Sequence, residues 1–296
     1  MSFYKSILSW IFLTIKHYLL ILLIMALFGS AFVFGKLVLN TNVPPLLFGS
    51  LRMLVVVICL LPFFNFKIPK KNLKSLFIFS FSMGVGVTGF TYLSLQESNI
   101  VSPVIIGSQL AIPFAIILSN FFLNEKFSFQ KWFFVITSFL GIIFIGFDPE
   151  LINNIFALVL TALMAFFYAI ANVASRDTNK LSIVTTNFFM ASIGFVVLIL
   201  LSFFFEGNTM NILKNIQLDM WLFIIYSGLI VSIGAHMSLF YLYKFYPVGK
   251  VLPFYALFPV FGLIQTFIIF NEIPSLIMTL GGIIVIGSVF LIQKVK

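Results

Sequence analysis

Two Asn-Glu pairs, Asn124-Glu125 and Asn271-Glu272, end long apolar runs, and each follows a proline (Pro113, Pro259) about three helical turns upstream. Arg52 and His236 lie inside apolar runs of their own. A carboxylate accepts hydrogen bonds, a guanidinium receives anions through a fork of N–H donors, and an imidazole can carry a proton near neutral pH. A thinly spread polar set joins them: Ser30, Thr88, Tyr92, Ser108, Gln109, Tyr168, Asn172, Tyr255 and Gln265. Their donors and acceptors suit an amine, a carboxylate or an amide. Each could equally bond a neighbouring helix.

The spacing excludes several chemistries. The single cysteine, Cys59, allows neither an intramolecular disulfide nor a cysteine metal cage. The glycines at Gly141 and Gly146, and at Gly282 and Gly287, lack the Lys-Ser/Thr of a phosphate loop. His236 has no acid near it in sequence, and no Asp or Glu falls near mid-span, so a carboxylate proton relay has no candidate. No cofactor or metal is called for, and no ATP-binding sequence is present.

The elements that must position these residues are membrane helices. Of 296 residues, 61% are hydrophobic and 8% charged, against about 25% charged in soluble domains. A water-facing surface cannot be made from so few charges, and disorder is excluded by the apolar content. A spanning helix needs about 20 apolar residues. That ruler finds ten runs: Tyr18–Val38, Leu46–Phe64, Leu73–Leu95, Val101–Leu123, Trp132–Phe147, Ile155–Ser175, Ser182–Phe205, Leu218–Tyr243, Val251–Phe270 and Leu276–Ile292. Ser6–Ile15, with Ile7, Ile11 and Ile15 at helical spacing, is too short to cross and is read as an interfacial amphipathic helix. No small-residue cleavage site follows it, so it is not read as a removable signal peptide.

The net charge of +9 is topological rather than a sign of nucleic-acid binding. With ten spans and the N-terminus inside, Lys5, Lys16, Lys67, Lys70, Lys71, Lys74, Lys126, Lys131, Arg176, Lys180, Lys244, Lys250, Lys294 and Lys296 fall inside, fourteen of the 17 basic residues. Lys214 falls outside, and Lys36 and Arg52 sit within or at the ends of spans. A miscount of one span would scramble this alternation.

The chain also repeats. The run Phe28 to Lys36 aligns with Tyr168 to Arg176, and the two Asn-Glu pairs close the fourth and ninth spans. Five spans per repeat return the chain to the opposite side, so the second half enters inverted. That plan is typical of secondary transporters with a site near the bilayer midplane. The expected organisation is an interfacial segment over 1–17, a five-helix repeat over 18–147 and a second over 154–293.

These landmarks resemble the EamA family of the drug/metabolite transporter superfamily. The likeness rests on Leu27-Phe28-Gly29-Ser30-Ala31-Phe32-Val33 to Lys36, on Val43-Pro44-Pro45-Leu46 leading into Leu51-Arg52-Met53, and on Asn-Glu where the family usually has Gly-Glu. It implies an all-α membrane fold of ten helices in two inverted repeats, a central cavity, cytoplasmic termini, and export or exchange of small metabolites such as amino acids. Where the family often has Trp, this chain has Phe28 and Tyr168.

The expected activity is secondary transport of a small polar metabolite, an amino acid or related compound, by alternating access and in the direction of efflux. The expected location is a cell membrane, the inner membrane of a bacterium. Lipid bilayer and small-molecule substrate are the expected partners, and the oligomeric state, monomer or homodimer, stays open. Substrate contacts are assigned to Ser30, Arg52, Tyr92, Ser108, Gln109, Tyr168, Asn172, His236 and Tyr255. Arg52 has two readings, a functional cavity charge or structural ion pair, with Glu97 as the candidate partner, or a side chain snorkelling to headgroups. Lys36 and Arg176 read as interfacial anchors, and Glu125 and Glu272 as clasps to a neighbouring helix N-terminus or a cation. An intramembrane lipid-modifying enzyme and a channel or scaffold are the alternatives.

Overall fold

The computed structural model describes residues 15–64, 68–149, 151, 154–178, 181–243, 245–246 and 251–295. The expected interfacial segment lies almost entirely outside these residues, as do Lys5, Lys67, Lys180, Lys244, Lys250, Lys296 and Glu150. Among the described residues the chain is all helix and connection. Eight helical stretches are long and apolar enough to cross a membrane. They are α1 (Ile15–Leu39), α2 (Pro45–Phe63), α3 (Lys70–Glu97), α4 (Ser102–Leu123), α6 (Ile155–Thr178), α7 (Ile183–Phe205), α8 (Leu218–Leu239) and α10 (Leu276–Lys294). Two shorter apolar helices complete the set, α5 (Phe129–Ile145) and α9 (Phe254–Phe270). The protein is thus a multi-pass membrane protein.

Helix ends follow from local chemistry. Pro44-Pro45 opens α2, where the missing proline N–H costs nothing. Ser128, Ser182 and Ser275 cap α5, α7 and α10 by accepting from the backbone N–H three residues on. Asn124 and Asn271 take left-handed backbone at φ 54° and 53°. Each lets the following glutamate N–H reach six residues back, Glu125 to the Ser119 carbonyl and Glu272 to that of Thr266. Asparagine tolerates this conformation better than other residues with a β-carbon, so it can stand where glycine is usual.

Packing repeats with the halves exchanged. Helix α2 lies on α7 and α5 on α10, each against its own repeat mate. The contact of α1 with α9 is matched by that of α6 with α4, α3 with α6 by α8 with α1, and α2 with α8 by α7 with α3. Small residues permit the closest crossings. A β-carbon on Gly29 would stand 2.6 Å from the Gly262 nitrogen, and one on Gly84 2.3 Å from the Met190 carbonyl oxygen. Such backbone-to-backbone approach is how membrane helices gain van der Waals contact where no hydrophobic force drives them together. The outward faces carry large apolar side chains, Phe121, Phe129 and Phe204 among them, as a lipid-facing surface requires.

Four helices leave α-geometry, in matched pairs. The mates α3 and α8 contain wide π-helical turns at Ser82–Val87 and Tyr226–Ala235. Helix α4 contains a tight 3-10 segment at Ser108–Leu110, and its mate α9 opens through one at Leu252–Leu257.

Candidate functional site

All four irregular segments border one cavity of about 180 Å³. It is lined by Phe28, Ala31 and Phe32 of α1, Arg52 of α2, Met83, Val87 and Thr91 of α3, and Ser108, Gln109, Ala111 and Ile112 of α4. Met164 and Tyr168 of α6, Val231 and His236 of α8, and Tyr255 and Phe258 of α9 close it from the other repeat. Irregular turns of this kind are frequent at functional sites because they re-aim side chains and free backbone groups. A larger depression beside Asn42, Asn208, Asn211 and Asn215 lies among the connections at one end of the bundle. Both halves line it, but it holds none of the residues assigned from sequence and none of the irregular turns, so the central cavity is the candidate site.

Six of the nine residues assigned from sequence come together here: Arg52, Ser108, Gln109, Tyr168, His236 and Tyr255. The other three do not line the cavity. Ser30 is buried, donates to the Leu27 carbonyl at 2.7 Å and pairs with the Tyr226 hydroxyl at 2.8 Å. Tyr92 is fully buried behind Arg52, and its hydroxyl accepts from Arg52 Nη1 at 2.6 Å. Asn172 is exposed, one helical turn beyond Tyr168. Thr88 and Gln265 do not line the cavity either. Thr88 donates to the Met83 carbonyl within the wide turn at 3.1 Å, and Gln265 joins α9 to α1 through the Ala26 carbonyl at 3.1 Å.

Arg52 points inward rather than to headgroups. Its Nε donates to Ser232 Oγ at 2.9 Å, and its guanidinium carbon stands 5.9 Å from the Tyr92 ring centre. Ser232 in turn donates to the Ser227 carbonyl across the wide turn of α8, which fixes its lone pairs toward the arginine. The expected partner Glu97 is exposed at the end of α3 and makes no ion pair with Arg52. Sequence reasoning missed Ser232, a lone serine in an apolar run with no pattern to mark it.

His236 sits edge-on to Phe28, ring centres 4.8 Å apart. Its Nδ1 faces the Val231 carbonyl at 3.3 Å. A carbonyl only accepts, so Nδ1 carries the hydrogen, and in the neutral ring Nε2 is left as acceptor. Phe28 also lies against Tyr255, with centres 5.7 Å apart, and Phe32 stacks on Phe258. The aromatic wall is therefore built jointly by α1 and α9.

The repeat-mate glutamates have different partners. Glu272 accepts from the backbone N–H groups of Val101 and Ser102, both at 2.8 Å, and so caps α4. Glu206 does the same for α2, accepting from Leu46 at 2.6 Å and Leu47 at 3.0 Å. Lys36 is not a simple interfacial anchor: it donates to the carbonyls of Leu95 and Ser98 at the end of α3, at 2.8 and 2.7 Å. Below these clasps a buried cluster that includes Leu47, Phe48, Leu51, Tyr92, Leu95 and Ile105 fills this end of the bundle. At the other end, Glu125 forms a two-pronged ion pair with Arg176, exposed to solvent. The arginine hydrogen bonds hold the Glu125 carboxyl below the usual carboxylate range.

The two-repeat plan has a counterpart among known proteins. The model of the EamA-like transporter family matches residues 15–147 and, a second time, 155–293. The chain belongs to the EamA-like transporter family. It is 31% identical over 176 residues to the uncharacterized transporter YoaV of Bacillus subtilis, a match covering 56% of this chain and 60% of that protein. It is 24% identical over 260 residues to the uncharacterized transporter YdfC of the same organism, covering 82% and 78%. The S-adenosylmethionine uptake transporter of Rickettsia bellii is 24% identical over 221 residues, covering 71% and 69%. One crystal structure superimposes with a TM-score of 0.58 at 16% identity, covering 90% of this chain and 96% of that one, which supports the fold. These EamA relatives are named as transporters, not enzymes.

Proposed function

We propose that this EamA-family protein is a secondary transporter that exports a small polar metabolite, an amino acid or related compound, by alternating access. In this reading all ten helices cross the membrane, both termini are cytoplasmic, and the membrane is the inner membrane of a bacterium. Arg52, Ser108, Gln109, Tyr168, His236 and Tyr255 are the substrate contacts; Tyr92 acts behind them by holding Arg52. The observation that carries the reading is the cavity itself. It lies between the repeats, and its polar groups are few and convergent on an apolar and aromatic wall. Its size, about 180 Å³, is below the roughly 300–1,000 Å³ of drug-sized sites.

A second reading, uptake of S-adenosylmethionine, comes from the name of the Rickettsia relative. The cavity disfavours it. S-Adenosylmethionine has a carboxylate for Arg52, but it is large and carries a sulfonium as well as an ammonium, and among the described residues no acidic side chain lines the cavity to receive either cation.

The test is flux in proteoliposomes under imposed gradients, run in both directions with a panel of amino acids. Saturable flux that a substrate on the opposite side accelerates supports a carrier. Linear, unsaturable flux points to a channel, and no flux of any amino acid by correctly inserted protein sinks the proposal. Topology is checked with single cysteines on a Cys59→Ser background. Lys214→Cys should react with an impermeant thiol reagent from outside and Lys126→Cys only from inside.

A further inference from the structure

We infer that the cavity recognises a small organic carboxylate, held through its oxyanion by Arg52 and through an adjacent N–H or O–H group by Gln109. The inference rests on the transporter reading and narrows its substrate.

A guanidinium stays charged at any physiological pH, and at membrane depth a charge usually faces a cavity or a partner. Two edges of Arg52 are spoken for by neutral acceptors, Ser232 Oγ on α8 and Tyr92 Oη on α3. Among the described residues no carboxylate lies within ion-pair distance of it, and none lines the cavity. Nη2 makes no hydrogen bond there and is not sealed in protein. The arginine lines the cavity, so this open edge is what a ligand meets. His236 contributes no negative charge in either protonation state. The cavity therefore presents one uncompensated positive charge whose orientation two flanking hydrogen bonds already fix. A planar oxyanion matches that fork and neutralises it; an amine without an acid is repelled.

The second observation concerns Gln109. It lines the same cavity, is 2% exposed, and its Oε1 has no donor among the described residues. Buried acceptors left without a donor are rare in folded proteins. The adjacent Ser108 cannot donate to it, because that hydroxyl already donates to the Ile105 carbonyl at 2.6 Å. With the carboxylate committed to Arg52, the ligand's own N–H or O–H is the group that completes Gln109 once the amide turns its covered Oε1 toward the cavity. Phe28, Tyr255 and Phe258 offer the rest of the molecule an aromatic face.

The experiment compares three probes that share one ring and one chain length, L-phenylalanine, 3-phenylpropionate and phenethylamine. Binding to the purified full chain is measured by titration calorimetry. L-Phenylalanine is expected to bind tightest, 3-phenylpropionate next, and phenethylamine at least about tenfold more weakly than the acid, since charge-assisted hydrogen bonds are the strong ones. Arg52→Gln should weaken both acids by roughly 10- to 100-fold and bind the amine no more weakly than the wild-type chain does, because the charge that repels it is gone. Gln109→Leu should erase the advantage of L-phenylalanine over 3-phenylpropionate. The inference is overturned if phenethylamine binds the wild-type chain as tightly as the acid, or if a monodisperse Arg52→Gln protein keeps the preference for acids. The ranking is read first on the wild-type chain, so a variant that does not fold leaves the test intact. Failure of all three probes to bind also overturns it, while flux of other solutes still decides the transporter reading.

Discussion

Removing the Glu272 carboxylate should cost far more than removing its repeat mate, Glu125. Glu272 accepts from Val101 N and Ser102 N, both at 2.8 Å. These donors belong to the first turn of α4, where no intrahelical carbonyl can receive them. Losing a side-chain cap costs about 0.5–2 kcal/mol, and losing a negative charge near a helix N-terminus adds about 0.3–1 kcal/mol. Glu272 is half-buried, so we take about 2 kcal/mol for Glu272→Ala. The Glu125–Arg176 pair has side-chain exposures of 34% and 50%, and exposed pairs are worth about 0–1 kcal/mol. At about 2–4 °C per kcal/mol, the sensitivity of 150–250-residue domains, Glu272→Ala should lower the unfolding midpoint by roughly 4–8 °C and Glu125→Ala by no more than about 4 °C. The assay is thermal unfolding of detergent-purified protein followed by the fluorescence of its three tryptophans. Equal midpoints for the two variants, or no change in Glu272→Ala, would refute the argument that these carboxylate bonds hold α4.

Gly84→Ala places a β-carbon 2.3 Å from the Met190 carbonyl oxygen and should cut the yield of monodisperse protein in size-exclusion chromatography; Gly287→Ala, with nothing within 4 Å, should leave it unchanged. Because Arg176 lowers the Glu125 pKa from its ordinary 4.5, the stabilisation by that pair is present above 4.5 and disappears as pH falls through the lowered value. The midpoint difference between wild type and Glu125→Gln should therefore stay constant from pH 8 to 5 and vanish on further acidification. Thr161→Val removes one partner of the Ser94 hydroxyl, at 2.5 Å, but leaves its bond to the Ala157 carbonyl at 2.8 Å. The cost should be near the ~0.6 kcal/mol of an average interhelical hydrogen bond in a membrane, read as a midpoint shift below about 3 °C.

Spans and repeat landmarks were legible because lipid imposes length and apolarity on each helix. The Asn-Glu pairs were legible for a related reason: a left-handed residue and a charge cannot hide in an apolar run. Facing was not legible. When lipid and protein interior are both apolar, a helix shows little amphipathic bias, and α1 shows almost none. Ser30 and Asn172 therefore read as cavity residues although one is spent on Tyr226 and the other lies exposed. Tyr92 and Ser232 have roles that depend on where the Arg52 side chain ends, which α2 alone does not determine. Glu206 was legible as a loop acid but not as the cap of α2, because that contact joins residues 160 apart in sequence.

The matched irregular turns have a mechanical consequence. In a regular helix, bending means breaking a run of hydrogen bonds, which makes the element stiff. At Ser82–Val87 and Tyr226–Ala235 the ladder is already wound wide, and at Ser108–Leu110 and Leu252–Leu257 it is already wound tight. A change of pitch there exchanges one set of bonds for another instead of losing it. The compliance of the molecule thus sits around the central cavity, in both halves, while the connections, clasped by Glu206, Glu272 and Lys36, can stay rigid.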